Sequence, residues 1–464
     1  QAEDGIRDRS PSRGLGDVYK RQLLRRLLEL PLVVESSRSA RWDRWLGEAC
    51  FALGDLPAAA AYAQQSLEQL GHPLPRSRAG WAASVGLGVG KQLWSRATRS
   101  SRVPALVRRA LVSVGAGVSA AAGISAAAGS SAGAGVAQPG PGDQRLVDAA
   151  LASARMTSYY FFANDSLGLL GASLQAINLA ERADHGVPVA EIYAQLGYIA
   201  RVAKLAPVAR GYFAKARATA KTTHDSSGLA WAYFTEAAAC VGMAELARAR
   251  EVAGKGLVLA EALRNPQDVE VGLTILGHCA FATGDYPQAL ASAQLLYDSA
   301  HARANRQHEA WGLYTRARAE LYLGRLTEAI GNFERAARLL EGLSDQASQI
   351  LCGGMRALAL ARAGELAEAR ALADATTAQI GTRTPPVFTI SEGFVCTAEA
   401  YLELWRRGDA SVAGAAREAL ANVMRLARVF PVAAPAAWGL AGLYPVSYTH
   451  LRAHETDSYL VCRL

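Results

Sequence analysis

The chain has 464 residues, 51% of them hydrophobic and 19% charged. Those proportions exclude a disordered polymer and leave room for several compact domains or one long repeat array. The net charge of +8 is local: residues 73–140 carry eight basic side chains and no acid, while the remainder balances at 41 against 41, which excludes a uniformly basic nucleic-acid binder.

Residues 1–22 (QAEDGIRDRSPSRGLGDVYKRQ) differ in composition from the alanine-rich sequence that follows, and helical patterning starts with LLRRLLELP at Leu23. No apolar core follows a basic start, so no secretory signal is read and a cytoplasmic location is expected. The first methionine is Met156, which reads as a fragment. The high ratio of arginine to lysine, 43 to 6, reads as GC-rich bacterial coding. Residues 23–72 predict an N-terminal helical hairpin turning at Gly54.

Residues 73–144 read as a linker. Its basic part, 79–109, has room for one or two helices. With only Trp81 and Trp94 for stacking, it reads as solvated rather than as a nucleic-acid or membrane site. Residues 110–142 are uncharged, but Ala, Gly and Ser supply too little transfer energy for a membrane span, so a flexible insert is expected. VGLGVGKQ (85–92) imitates a phosphate loop, yet Val85 stands where the first Gly belongs and Gln92 where the Ser or Thr belongs. Asn164-Asp165-Ser166 has the letters of a glycosylation site and reads as helix capping.

Residues 145–444 carry an internal repeat. Turn glycines at Gly242, Gly284, Gly324, Gly364 and Gly408 are spaced by 42, 40, 40 and 44, and Lys204 and Asn164 extend the series backwards by 38 and 40. Glycine supplies a left-handed stop for a first helix, and asparagine is next best. Asp55, Asp285 and Asp409 follow and can cap a second helix. Five residues past each turn stands an alanine (Ala59, Ala209, Ala247, Ala289, Ala329, Ala369, Ala413), small enough for two antiparallel helices to approach; Leu169 breaks the rule. One hairpin cannot bury its apolar stripe, but stacked hairpins can. The predicted fold is all-α: a solenoid of helix-turn-helix repeats of about 40 residues, about seven in all, the last one cut short.

LGEACFALGDLPAAA (46–60), LGYIARVAKLAPVARGYFAKA (196–216) and LGHCAFATGDYPQAL (276–290) resemble the tetratricopeptide repeat family, whose usual period is 34. Longer helices or longer turns would account for the excess. HEAT and armadillo repeats have the length but lack the L-G and G-x4-A combination. RSARWDRWLGEACFALGDL, GHPLPRSRAG and YYFFANDSLGLLGASLQAINLAERA resemble, more narrowly, the C-terminal repeat region of large bacterial signalling ATPases and adenylate or guanylate cyclases. That resemblance implies a regulatory module whose catalytic domains lie upstream, with no enzymatic activity and no cofactor of its own. Carried over by position in each unit, the first helices line a concave partner-binding face with Phe162, Tyr198, Arg201, Glu236, His278, Phe281, Arg318, Tyr322, Trp405 and Arg406. Aromatics mixed with arginine suit a protein or peptide partner, or upstream domains of the same polypeptide. A ligand there would favour one superhelical curvature over another. An RNA-reading solenoid is the first alternative, a fragment of a cyclase or ATPase the second; neither nucleic acid nor membrane is the favoured partner.

The last helix breaks off near Pro445. Residues 445–464 leave the repeat composition, and both chain ends resemble translated sequencing-adapter segments. His450, His454 and Cys462 have zinc-like spacing, yet no metal site is expected in such a tail. Cys50, Cys240, Cys279, Cys352 and Cys396 are isolated and read as buried thiols.

Overall fold

The computed structural model describes residues 36–99, 141–183, 190–381 and 387–444, and within them all regular structure is helical. The first hairpin is α1 (Ser36–Ala52) and α2 (Leu56–Gln69), followed by α3 (Arg78–Arg99). Then come α4 (Pro141–Phe162), α5 (Ser166–Ala180), α6 (Ala190–Val202), α7 (Ala206–Thr222), α8 (Ser226–Gly242) and α9 (Leu246–Ala262). The series continues through α10 (Pro266–Ala282), α11 (Tyr286–Ala302), α12 (Arg306–Tyr322), α13 (Leu326–Leu340), α14 (Gln346–Ala363) and α15 (Leu366–Ile380). After a short 3-10 turn, Phe388–Ile390, it ends with α16 (Ser391–Arg406), α17 (Ala413–Val429) and a helix at 434–444, α18. The tails at 1–22 and 445–464, with the candidate histidine pair, and residues 110–140 of the uncharged insert lie outside the described residues.

The 40-residue period has a simple origin. Helices α8 to α12 are each 17 residues long, about 25 Å, and three-residue turns separate them. The excess over 34 therefore sits in the helices, not the turns. The middle residue of each turn is left-handed: Asn164, Lys204, His224, Ala244, Arg264, Gly284, Ala304, Gly324 and Gly364 all have positive φ. The next residue's N–H closes back on the helix it leaves, as Asp285 N to Ala280 O at 2.8 Å and Asn265 N to Ala260 O at 3.0 Å. That six-to-one bond satisfies a carbonyl the helix end would leave orphaned. The same residue then caps the next helix: Asp225, Asn265, Asp285 and Asn305 accept from the backbone N–H three positions on, as does Asp345 after the longer α13–α14 connection.

One repeat is displaced from its sequence assignment. The turn residue is Ala244, at φ 61°, and not Gly242, which ends α8. A Cβ on Gly242 would lie 3.0 Å from the Phe430 ring and 3.1 Å from Phe388, so this glycine serves packing. The helix-contact alanine moves with it: Ala249 is buried and Ala247 exposed. Corrected this way, the turns fall at 164, 204, 244, 284, 324 and 364, every 40 residues. The glycine of the L-G pair also has a role in packing. A Cβ on Gly197 would sit 2.8 Å from the Phe213 ring of the partner helix.

Residues 85–92 are a stretch of α3 and form no loop. Gly88 lets that helix lie against Leu174 of α5, and Gln92 donates to Asn178 at 2.9 Å and to Glu181 at 3.2 Å. Among the described residues no helix is long and apolar enough to cross a membrane, and no cluster of candidate metal ligands occurs.

The superhelix closes on itself. The α1–α2 turn meets the α11–α12 turn 250 residues later, where Asn305 Nδ2 and Arg303 Nη1 donate to Ala52 O at 3.2 and 3.5 Å. Gly54 is required at this crossing, since a Cβ there would lie 2.6 Å from Asn305 Oδ1. The 3-10 turn at Phe388–Ile390 enters the interior, with Val387, Phe388 and Ile390 all buried among the same apolar side chains as α8 and α14.

Candidate functional site

The first helix of each hairpin turns one face to the superhelix interior, and the 40-residue register stacks equivalent positions along it. Ser158, Tyr198, Ala238 and His278 are such a row; Trp231, Val271 and Trp311 are a second. With Phe162, Phe234, Tyr314 and Phe388 they enclose a cavity of about 130 Å3. Its wall is predominantly aromatic and aliphatic, and the half-buried polar side chains Ser158, Gln195 and Gln267 stand among the lining. The rings contact one another: Phe162 lies 5.7 Å from Trp311, and Phe161 packs edge-on to Tyr198 at 5.7 Å.

A buried carboxylate holds one wall. Glu270, wholly enclosed, accepts from Ser299 Oγ at 2.6 Å, His308 Nδ1 at 2.7 Å and Arg303 Nε at 3.0 Å. Burial alone would push this carboxyl up, but His308 and Arg303 outweigh it and hold the group down at about 2. His308 in turn stacks on Trp311 at 4.3 Å, and Trp311 Nε1 donates to Asp345 at 3.0 Å. Charge, stacking and hydrogen bonding thus fix the orientation of a ring that faces the cavity.

Arg318 holds the opposite wall from behind. It is completely buried, packs its guanidinium on Phe281 at 4.1 Å, and donates from Nη1 to Glu392 at 2.9 Å and to His278 Nδ1 at 2.8 Å. Burial, then the neighbouring Arg318 charge, push His278 below its usual value, so it is neutral. Because Nδ1 accepts, the proton of that neutral ring resides on Nε2. Glu392 is held low: burial would raise it, but the Arg318 charge beside it prevails.

Of the ten positions expected on a concave face, Phe162, Tyr198 and His278 line the cavity, and Arg318 supports it without a surface of its own. Glu236 is buried on the flank turned to the second helices, paired with Arg217 and, at 2.7 Å, with Arg248. Trp405 is buried against Tyr444. Burial therefore leaves Glu236, Arg318 and Trp405 no open surface on which a partner could rest. Arg201 pairs with Glu245 at a turn, and Arg406 is exposed. Phe281 and Tyr322 form a separate aromatic group with Tyr286, at ring distances of 5.2 to 6.3 Å. Trp231, Trp311 and Phe388 were not among the expected residues. The two tryptophans stand 80 residues apart, two full periods, and that spacing was available as a signal.

No protein-family model matches the chain, and no curated protein matches its sequence. Among solved structures it is similar to aspartyl phosphate phosphatase F from Bacillus subtilis, with 12% identity and TM-score 0.46, covering 86% of this chain and 96% of that one. It is similar also to a signal transduction ATPase with numerous domains that carries a tetratricopeptide repeat sensor, from Pyrococcus horikoshii. There the identity is 14% and the TM-score 0.35, over 67% of this chain and 54% of that one. A third likeness is to human IFIT1, solved as a dimer with m7Gppp-AAAA: 11% identity, TM-score 0.40, over 97% of this chain and 100% of that one. Likenesses this loose carry no argument about function.

Proposed function

We propose that this solenoid is a non-catalytic binding and regulatory module that engages a protein or peptide partner along its inner face. The partner would be a separate protein or the effector domains of a larger signalling polypeptide, including an ATPase or cyclase. The observation that carries this reading is the convergence of inner helices from successive units on one aromatic-lined concavity with polar side chains among its lining. Aromatic anchors within a polar frame are the usual composition of an interaction hot spot. The closed ring gives such binding a mechanical consequence. A partner wedged between inner helices changes the spacing of units whose far ends touch at Ala52 and Asn305, so occupancy is transmitted to the closure.

The charge pattern favours protein over RNA. Three arginines of the inner helices, Arg201, Arg318 and Arg362, are matched by Glu245, Glu392 and Glu399. Arginines neutralised this way release few counterions, and counterion release dominates RNA affinity. A photo-crosslinking residue placed at Gln195 or Gln267 should trap the partner, whereas the same residue at exposed Arg210 on α7 should not. Equal trapping at all three positions would remove the inner-face assignment.

A further inference from the structure

A smaller recess adjoins the aromatic cavity, and its chemistry differs. It has a volume of about 10 Å3, room for one water-sized group, and Thr157, Ser158, Ser173, Glu191, Gln195 and Trp231 are among its lining. Ser158, Gln195 and Trp231 also line the large cavity, so the two share a wall. The 40-residue register explains the contrast. Glu191 stands at the unit position that Trp231, Val271 and Trp311 fill in later hairpins, so a carboxyl heads a row of apolar side chains. Among the described residues Glu191 has no ion pair and no side-chain hydrogen bond. Burial pushes its carboxyl up to about 7; the Arg155 charge opposes this, and the charges of Asp268, Asp225 and Glu48 reinforce it. Arg155 packs its guanidinium on the Phe51 ring at 4.0 Å, and Glu48 is shared with Arg44. The carboxyl therefore lacks a counter-charge of its own.

We propose that cavity and recess together bind a small protonated primary amine carried on a single aromatic ring, the ring in the cavity and the ammonium in the recess beside Glu191. Size sets the first half of that description. A cavity of about 130 Å3 is close to the engineered apolar cavities of about 150 Å3 that take up benzene. Its aromatic walls, among them Trp231, Trp311, Phe162 and Phe388, suit a flat ring. Polarity sets the second half. An ammonium has three donors and no acceptor, and the recess holds matching acceptors in the Glu191 carboxylate, the Ser158 hydroxyl and the Gln195 amide oxygen. Trp231, common to both linings, adds an aromatic ring, which attracts a cation. An anionic ligand is disfavoured, because the recess lining contains no basic side chain and Glu191 would repel it. The proposal stands apart from the partner reading, which concerns macromolecular contact along the inner face; either can fail without the other.

The test is titration of the full chain with phenethylamine, followed by calorimetry and tryptophan fluorescence at mildly alkaline pH, where Glu191 is ionised and the amine still charged. Phenethyl alcohol, the same body without the charge, and phenylacetate, its anionic counterpart, are the comparisons. Expected is saturable one-to-one binding of phenethylamine, with the alcohol and the acid about tenfold weaker or more, the scale of one lost charge-assisted hydrogen bond. Glu191→Gln should bring phenethylamine down to the level of the alcohol and leave the alcohol unchanged. It should melt no lower than the parent, because it removes a charge that burial disfavours. Ala238→Leu fills the large cavity from its wall and should abolish binding of both amine and alcohol. Failure of phenethylamine to saturate, equal binding of the alcohol, full amine affinity in Glu191→Gln, or undiminished binding in Ala238→Leu would each overturn the proposal.

Discussion

Glu270→Gln should cost about 3 kcal/mol of stability at neutral pH, and the cost should shrink in acid. The wild-type carboxyl lies at about 2 in the folded chain against 4.5 for a free glutamate. That separation of roughly 2.5 units is worth about 3 kcal/mol. The sign follows from a depressed value. The contribution is complete above 4.5, where the unfolded group is also ionised, and is lost as pH falls towards 2. By pH 3 more than half of it should be gone. Glutamine keeps the shape and the hydrogen bond from Ser299 but leaves Arg303, 9% exposed at its side chain, and His308 without their anion. Because Arg303 and Asn305 also hold Ala52, the loss should loosen the ring closure as well as one hairpin. The assay is urea unfolding of both proteins at pH 7, 5 and 3, read by the fluorescence of Trp311, which stacks on His308 beside the substituted residue. Taking the difference between the two proteins removes the titration of every other carboxylate. A variant within about 0.5 kcal/mol of wild type at pH 7, or a gap that does not change between pH 7 and pH 3, would show that the Glu270 cluster is not a stabilising ion network.

Five further substitutions probe the repeat itself. Ala244→Gly relieves a left-handed alanine and should raise stability by roughly 0.5 kcal/mol, whereas Gly284→Ala, in open space at φ 77°, should lower it by about 1 kcal/mol; equal signs in thermal melts would contradict the turn register. Gly354→Ala would bring a Cβ to 2.1 Å from Gly393 O and 2.6 Å from Thr397 Oγ1, forcing α14 and α16 apart at a cost of about 3 kcal/mol; an unchanged denaturation midpoint would refute that close crossing. Arg318→Glu sets a carboxylate against Glu392 in a sealed position and should cost at least about 3 kcal/mol, while Arg406→Glu, on the exposed end of α16, should stay within about 0.5 kcal/mol in the same denaturation experiment.

The repeat was legible because its signals are local. A left-handed turn, a capping side chain three residues before the N–H it receives, and a small residue at the helix crossing all act within one hairpin, so each is visible in a short window. The one slip, Gly242 for Ala244, arose where two uses of glycine compete. At Gly284 the missing Cβ permits a positive φ; at Gly242 it makes room for Phe388 and Phe430, whose approach is set about 150 and 190 residues away. A letter cannot distinguish a dihedral requirement from a packing requirement. The alanine at 244 pays the left-handed cost without advertising it.

The candidate site was legible only in part, for the same reason carried further. Position within a unit is enough to turn Tyr198 and His278 inward, since that depends on helical phase alone. Whether an interior residue meets a partner, a cavity or another helix depends on how far the superhelix curls, and curl is a sum over many units. Here the sum is large enough for the first turn to touch the sixth hairpin, at Ala52 and Asn305, and for Phe388 to enter the groove. Closure converts an open row into an enclosed one. Arg318, which on an open face would be a partner-binding arginine, becomes a buried brace whose hydrogen bond fixes the proton on His278. The side chain most exposed in the sequence argument is thus the one that, fully enclosed, decides which way the cavity's imidazole donates.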